Sequence, residues 1–339
     1  MRFHGYFRNS IRKLVFTSIA KGAASVTGIV VASANGTVGI GASIEVLRAG
    51  GSAIDAIVAG IELVEANPDD HSVGYSGLPN LLGQVELDAS IMEGAGLRAG
   101  SVGALHGYQQ AVRLARTVMD SLPHVLIVDS GADRLAGESG LIPIDLLTPE
   151  AKAVWQQRFT DMGAGEPGTR DAYYEKIHLI VGETASDPEK VEDLHGTVNF
   201  IAQDDTGLIA CGVSTSGWAW KYPGRLGDSP IIGAGNYADN RWGAAACTGR
   251  GEMAQRCLTA HSVVTFMRFG MSVEDALKQA MLDLRQLDDP YRSEMNIIAL
   301  DKDGRPSAAS STPGKTYVYQ RTDMADYAEE SRAIVPYED

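Results

Sequence analysis

A threonine hydroxyl attacks a carbonyl only when a base takes its proton, and an N-terminal threonine carries such a base in its own α-amine. That amine has an ordinary pKa of about 7.7–8.0, suited to general-base work near neutrality. The arrangement requires a cleavable polar stretch that runs straight into a strand beginning with Thr, Ser or Cys. One junction of the 339-residue chain has this character: His195-Gly196-Thr197-Val198 follows a charged segment and opens the run Thr197-Val198-Asn199-Phe200-Ile201-Ala202. Cleavage after Gly196 would make Thr197 a new N-terminus, and glycine allows the strained backbone that an N-to-O acyl shift needs. Alone, a Gly-Thr pair opening a strand is more often merely a turn and a β-branched residue.

The surroundings add to the signal. His195-Gly196-Thr197, Ser214-Thr215-Ser216-Gly217, Gly224-Arg225-Leu226-Gly227-Asp228-Ser229-Pro230, Gly233-Ala234-Gly235 and Ala246-Cys247-Thr248-Gly249-Arg250-Gly251-Glu252 follow one another in the order and spacing of the glycosylasparaginase β-subunit, which this half resembles. Gly50-Gly51-Ser52-Ala53-Ile54-Asp55-Ala56, Ser72-Val73-Gly74-Tyr75-Ser76-Gly77 and Leu87-Asp88-Ala89 look like that family's α-subunit, so the resemblance covers residues 29 to 325. It implies an α/β (α+β) fold, the four-layer αββα sandwich of the N-terminal-nucleophile hydrolases, and a dimer of αβ units. It matches Thr197 to the nucleophile and Thr215 to the threonine hydrogen-bonded to it. Arg225 matches the clamp on the substrate α-carboxylate, where a guanidinium fork suits two oxygens. Asp228 matches the acceptor of the α-ammonium, with Gly251 assisting through its backbone. Thr248 and Gly249 match the oxyanion hole. The implied reaction is hydrolysis of the side-chain amide of N-acetylglucosaminyl-asparagine through a β-aspartyl ester on Thr197, releasing aspartate. It needs no metal or organic cofactor.

Three positions depart from the pattern. Gly196 stands where glycosylasparaginases usually have Asp, as in the plant-type asparaginase and isoaspartyl peptidase branch, which leaves His195 as a candidate base for self-cleavage. Ala34, in Ser33-Ala34-Asn35-Gly36, stands where the family has a tryptophan near the substrate. Gly249-Arg250-Gly251 brings a positive charge next to the oxyanion hole, facing an acidic substrate or only solvent. The nearest alternative is therefore an isoaspartyl peptidase or L-asparaginase. An uncleaved, catalytically silent scaffold is a further one. A dinucleotide-binding protein finds little support, because neither Gly39-Ile40-Gly41 nor Gly233-Ala234-Gly235 completes the phosphate-binding glycine pattern.

The elements that must position these residues are legible in outline. Ile29–Ala32 reads as a buried strand, and helices are expected near 42–48 and over 53–64 with Ser52 as N-cap. Residues 85–92 alternate as a strand, 106–119 have helical spacing, and 124–128 read as a compact strand. A polar, charged linker is expected over about 148–196, partly helical and exposed. Residues 197–202 and 208–213 form a hairpin signal around Asp204-Asp205-Thr206-Gly207. Helices over 252–269 and 273–287 and strands near 296–300 and 316–320 complete the chain. The domain reading is a leader over 1–28, an α-subunit over 29–196 and a β-subunit over 197–339, the last two forming one domain.

Composition sets the outer limits. The net charge of −14 and the lack of a basic stripe argue against a nucleic-acid partner. The cysteines Cys211, Cys247 and Cys257 offer no disulfide framework or paired zinc ligands. Nowhere do about 18 apolar residues, the length needed to cross a membrane, run together. The leader carries Arg2, Arg8, Arg12 and Lys13 before a short apolar run broken by Lys21. It makes a weak signal peptide at best, so a cytoplasmic location is favoured, with the periplasm or secretion following if it does act as one.

Overall fold

A computed structural model of the protein describes residues 27–161, 177 and 196–337. Nearly all of the leader, most of the linker and His195 lie outside the described residues. Within them the chain is a mixed α/β protein built on two sheets. An eight-stranded sheet has the order β12-β11-β1-β5-β6-β2-β3-β4, and a five-stranded one the order β13-β10-β9-β8-β7. The first sheet comprises β1 (Ile29–Ser33), β2 (Leu87–Glu93), β3 (Ala99–Leu105), β4 (Leu126–Val128), β5 (Val198–Gln203), β6 (Ile209–Thr215), β11 (Thr316–Arg321) and β12 (Ala328–Ser331). The second comprises β7 (Asn236–Asp239), β8 (Gly243–Gly249), β9 (Met295–Asp301), β10 (Pro306–Ser310) and β13 (Ala333–Ile334).

Strand residues alternate between two apolar environments, as a period of two requires. Ile29, Val31, Ile201 and Val213 meet Ala244, Ala246, Ile298 and Leu300 of the second sheet. Val30, Ala32, Phe200 and Ala202 instead pack with helices α1 (Thr37–Arg48), α2 (Ala53–Glu65) and α3 (Ala111–Ser121). On the second sheet, Cys247, Ile297 and Ala299 pack with α6 (Gly251–Cys257), α7 (Thr259–Arg268) and α8 (Val273–Arg285). Because both faces are covered, β1 and β5 carry apolar residues at consecutive positions, 29–32 and 200–202.

The expected hairpin is present as β5 and β6. Its turn is held by Asp204, whose Oδ1 accepts from the amides of Thr206 and Leu208 at 3.0 and 3.1 Å. Ser52 caps α2 as expected, in a capping box with Asp55.

Other elements differ from expectation. Helix α1 begins at Thr37 rather than near 42, since Gly39 lets it pack onto α2: a Cβ there would lie 2.1 Å from the Gly60 carbonyl oxygen. The stretch 252–269 is two helices, broken at Leu258, whose φ of +47° no helix continues through. Residues 106–110 are not helical, and helix starts only at Ala111. The strand at 124–128 shrinks to an exposed edge strand, β4. A fourth helix, α4 (Ser130–Glu138), follows it. The start of the linker is a packed helix, α5 (Pro149–Asp161), which buries Ala151, Trp155 and Phe159 at helical spacing against Leu81 and Trp220.

Candidate active site

Thr197 stands at the head of β5, where the register pairing Val198 with Ser214 continues outward to bring it beside Thr215. Asp88 pairs with Thr215 from β2, so three neighbouring strands deliver Thr197, Thr215 and Asp88 in one row. The resemblance puts the Thr215 hydroxyl on the nucleophile. Here, with Gly196 and Thr197 joined, Thr215 Oγ1 donates to the Gly196 carbonyl oxygen at 2.7 Å and accepts from the Gly217 amide at 2.9 Å. The hydroxyl has one proton, and the Gly196 carbonyl is a closer acceptor for it than the Ser72 carbonyl at 3.4 Å.

Gly196 has no room for a side chain. A Cβ there would lie 1.7 Å from Ser72 Oγ and 2.3 Å from Ser72 Cβ. Ser72 is fixed in turn by Asp70, whose Oδ1 accepts from the Ser72 amide at 2.9 Å and from its hydroxyl. Asn35 Nδ2 donates to Asp70 Oδ2 at 3.0 Å, and Ser33 Oγ donates to Asn35 Oδ1 at 2.7 Å. Ser33 Oγ also accepts from the Asn199 amide at 3.2 Å, so the chain of bonds returns to the strand that follows Thr197. Sequence reasoning quoted Ser72 and Asn35 in their motifs but missed Asp70, since nothing in the spacing shows that one carboxylate joins them.

Thr197 and Gly196 lie between two cavities. The smaller is lined by Thr215, Gly217, Trp218, Arg225, Gly227, Asp228, Gly249 and Gly251. The larger, of about 800 Å³, is lined by Ala34, Asn35, Asp70, Ser72, Thr248, Asn296 and Arg332 among others. Thr197, Thr215, Arg225, Asp228, Thr248, Gly249 and Gly251 thus each border one of the two, and Arg250 borders neither. Gly249 has φ +116°, and a Cβ on it would lie 2.2 Å from the Glu294 carbonyl oxygen, so only glycine fits. At Gly251 a Cβ would lie 2.6 Å from the Asp228 amide nitrogen, which shows how closely α6 abuts the Asp228 loop.

The charges around the small cavity are coupled. Glu252, the last residue of its motif and given no role from sequence, takes both Nε and Nη2 of Arg225 at 2.9 and 2.8 Å. Burial works to raise the Glu252 carboxyl, but the Arg225 guanidinium holds it down to about 2. For Asp228 burial wins over the attraction of Arg225, and its carboxyl is pushed up to about 7. Its Oδ2 is buried and has no hydrogen-bond partner among the described residues. Trp218, also missed, lies under two guanidinium groups, with Arg225 5.7 Å and Arg250 4.9 Å from its ring centroid. Arg250 itself is turned away from bulk solvent, buried and paired with Asp289 at 3.1 Å.

Behind the row of strands, Glu65 accepts from Ser214 Oγ and from the Val112 amide, and burial pushes its carboxyl up to about 8. Among the described residues, His106, Asp129 and Asp133 form a group of metal-ligand types. They line a separate cavity that shares no residue with the two at Thr197. The arrangement at Thr197 sets a hydroxyl-bearing residue between a small cavity lined by Arg225 and Asp228 and a large one.

Comparison with known proteins agrees with this chemistry. The family described as asparaginase matches residues 39–329. An N(4)-(β-N-acetylglucosaminyl)-L-asparaginase of Elizabethkingia miricola is 35% identical over 278 residues, 80% of this chain and 75% of the relative. A plant-type L-asparaginase of Pyrococcus horikoshii is 34% identical over 278 residues, 81% of this chain and 86% of the relative. An isoaspartyl peptidase/L-asparaginase of Mus musculus is 34% identical over 263 residues, 77% of this chain and 73% of the relative. A match along most of the chain, joined to two cavities that meet at Thr197, identifies it: the protein belongs to the asparaginase family of amidohydrolases.

Proposed function

We propose that the chain cleaves itself between Gly196 and Thr197 and then hydrolyses the side-chain amide of asparagine derivatives, with Thr197 as nucleophile and its freed α-amine as base. The observation that carries this reading is the position of Thr197 between the two cavities, with the carbonyl ahead of it gripped by Thr215. In maturation Thr197 Oγ attacks the Gly196 carbonyl carbon, which Thr215 polarises, and the bond shifts from nitrogen to oxygen. Hydrolysis of that ester leaves the Gly196 carboxylate and the Thr197 amine. The small cavity, with Gly196 on its wall, has room for about one water, so departure of the Gly196 carbonyl opens it to substrate.

In turnover Arg225 and Asp228 hold the α-carboxylate and α-ammonium, and Thr197 attacks the side-chain carbonyl. Thr248 and Gly249 stabilise the oxyanion. The amine leaves into the large cavity, and water hydrolyses the β-aspartyl ester. The fold that supports this is the four-layer αββα sandwich, residues 29–196 and 197–339 forming its two subunits and two such αβ units a dimer.

N-acetylglucosaminyl-asparagine is the substrate the resemblance names first. Isoaspartyl peptides and asparagine are the second reading, favoured by one observation: Ala34 leaves the wall of the large cavity without the indole of the glycosylasparaginases. Purified protein supplied with each substrate, and run on a denaturing gel, tests both steps. Two bands and release of aspartate are expected. A single full-length band with no turnover would overturn the proposal.

The raised Asp228 carboxyl gives a prediction in pH. Asp228 must be ionised to accept the substrate ammonium, and the Thr197 amine must be deprotonated to act as base. Both conditions fail as pH falls, so kcat/KM should decline with a slope approaching two below about pH 7, that is, roughly 100-fold per unit. Asp228→Asn removes one of the two ionisations and should reduce that slope to one, at a lower absolute rate. A pH–rate profile that keeps its slope in Asp228→Asn would remove Asp228 from this role.

A further inference from the structure

The C-terminal segment crosses from one sheet to the other beside the large cavity. Strand β12 pairs with β11 at the outer edge of the first sheet, and β13 pairs in parallel with β10 of the second. Arg332 is the residue between them, with its amide bonded to the Lys315 carbonyl at 2.9 Å and its Nε to the Thr316 carbonyl at 2.8 Å. It is 7% exposed, and what remains open lines the cavity that also contains Thr197.

Only part of this guanidinium is met by protein. Nη1 is buried with no hydrogen-bond partner, and among the described residues no carboxylate forms an ion pair with Arg332. Burial draws its pKa down to about 10, with Glu294 the acid that most opposes this. Glu294 is itself engaged by Lys315 at 3.2 Å and by Asn296 Nδ2 at 2.6 Å. The acids on the cavity wall do not supply the partner either. Asp70 is bound by Asn35 and Ser72, and Asp69 is exposed to solvent. A buried cation without a partner is costly, and an anion in the cavity would relieve that cost. Arg332 lies just beyond residues 39–329, which the family match covers.

We propose that Arg332 forms an anion subsite in the leaving-group cavity and selects β-aspartamides whose leaving amine carries a carboxylate. The inference rests on the reaction proposed above. In that reaction the bond broken joins the side-chain carbonyl to the amine nitrogen, and the amine departs with the proton held by the Thr197 α-amine. A carboxylate on that amine stays ionised throughout and meets the guanidinium before and after cleavage. The subsite therefore acts on binding more than on the chemical step, and its loss should raise KM with little change in kcat.

The test compares β-aspartyl-alanine with β-aspartyl-alaninamide, which differ only in that carboxylate, using processed full-length protein. The wild type should favour the acid by about tenfold or more in kcat/KM, the scale of a charge-assisted hydrogen bond. Arg332→Met should bring the ratio close to one and Arg332→Lys should preserve part of it. Taking the ratio within each variant cancels any general loss from repacking, and the wild-type ratio needs no variant. Equal handling of the two compounds by wild type, or an unchanged ratio in Arg332→Met, would overturn the subsite while leaving the amidase reading intact. Absence of turnover for both compounds, for asparagine and for N-acetylglucosaminyl-asparagine would instead overturn the reaction, and the subsite with it.

Discussion

Thr197→Ala is expected to leave the chain as one full-length band and to lower amide hydrolysis by at least about 10⁴-fold, the scale on which removal of a nucleophile is felt. Both losses have one origin, because the same hydroxyl opens the backbone and attacks the substrate. The change is mild for the fold. Thr197 precedes β5 and takes no part in its ladder with β6, whose register runs from Val198 to Gln203. Thr215 keeps its bond to the Gly196 carbonyl, so an intact but inert peptide is expected rather than an unfolded chain. Thr197→Ser supplies the control. It retains the hydroxyl and should still mature and turn over, more slowly because serine lacks the methyl group that restricts χ1. N-terminal sequencing of the shorter fragment and a rate assay read the two outcomes separately. Normal processing and turnover in Thr197→Ala would end the nucleophile assignment.

How far this site was legible depends on what kind of physics places each residue. Thr197, Thr215, Arg225, Asp228, Thr248, Gly249 and Gly251 belong to short motifs whose order could be compared with a family, and all of them border the two cavities. Glu252 and Asp70 act through side-chain direction, which no spacing reveals: one turns back to Arg225, the other joins Asn35 to Ser72. The fold divides in the same way. The cap at Ser52 and the Asp204 turn are local devices with local signatures, and both were readable. The early start of α1 depends on Gly39 meeting Gly60 across two helices, and the break at Leu258 on a left-handed residue that looks like any other leucine. Strand β8 was missed because Ala244, Ala245 and Ala246 have little β propensity. They form a strand since small side chains suit a sheet packed on both faces, which is a property of the assembled layers.

Gly196→Ala is expected to block maturation almost completely, and the reason is steric rather than chemical. The added methyl would sit 1.7 Å from Ser72 Oγ, a separation that real atoms do not show. Ser72 cannot easily retreat, because Asp70 holds both its amide and its hydroxyl and Asn35 holds Asp70. The strain must then displace the Gly196 carbonyl from Thr215, and the carbonyl that Thr197 attacks loses both its alignment and its polarising donor. Misplacing a reacting group by about 1 Å costs on the order of 100-fold, and loss of the donor adds to that. The same argument forecasts a rescue. Ser72→Gly removes both nearby atoms and leaves only Ser72 Cα, 3.7 Å away, which is ordinary contact. The pair Gly196→Ala with Ser72→Gly should therefore mature faster than Gly196→Ala alone, a non-additivity expected of residues in contact and readable as the rate at which the full-length band disappears. If the double variant matures no better than the single one, the block lies in the flexibility of glycine at position 196 and the contact with Ser72 is incidental.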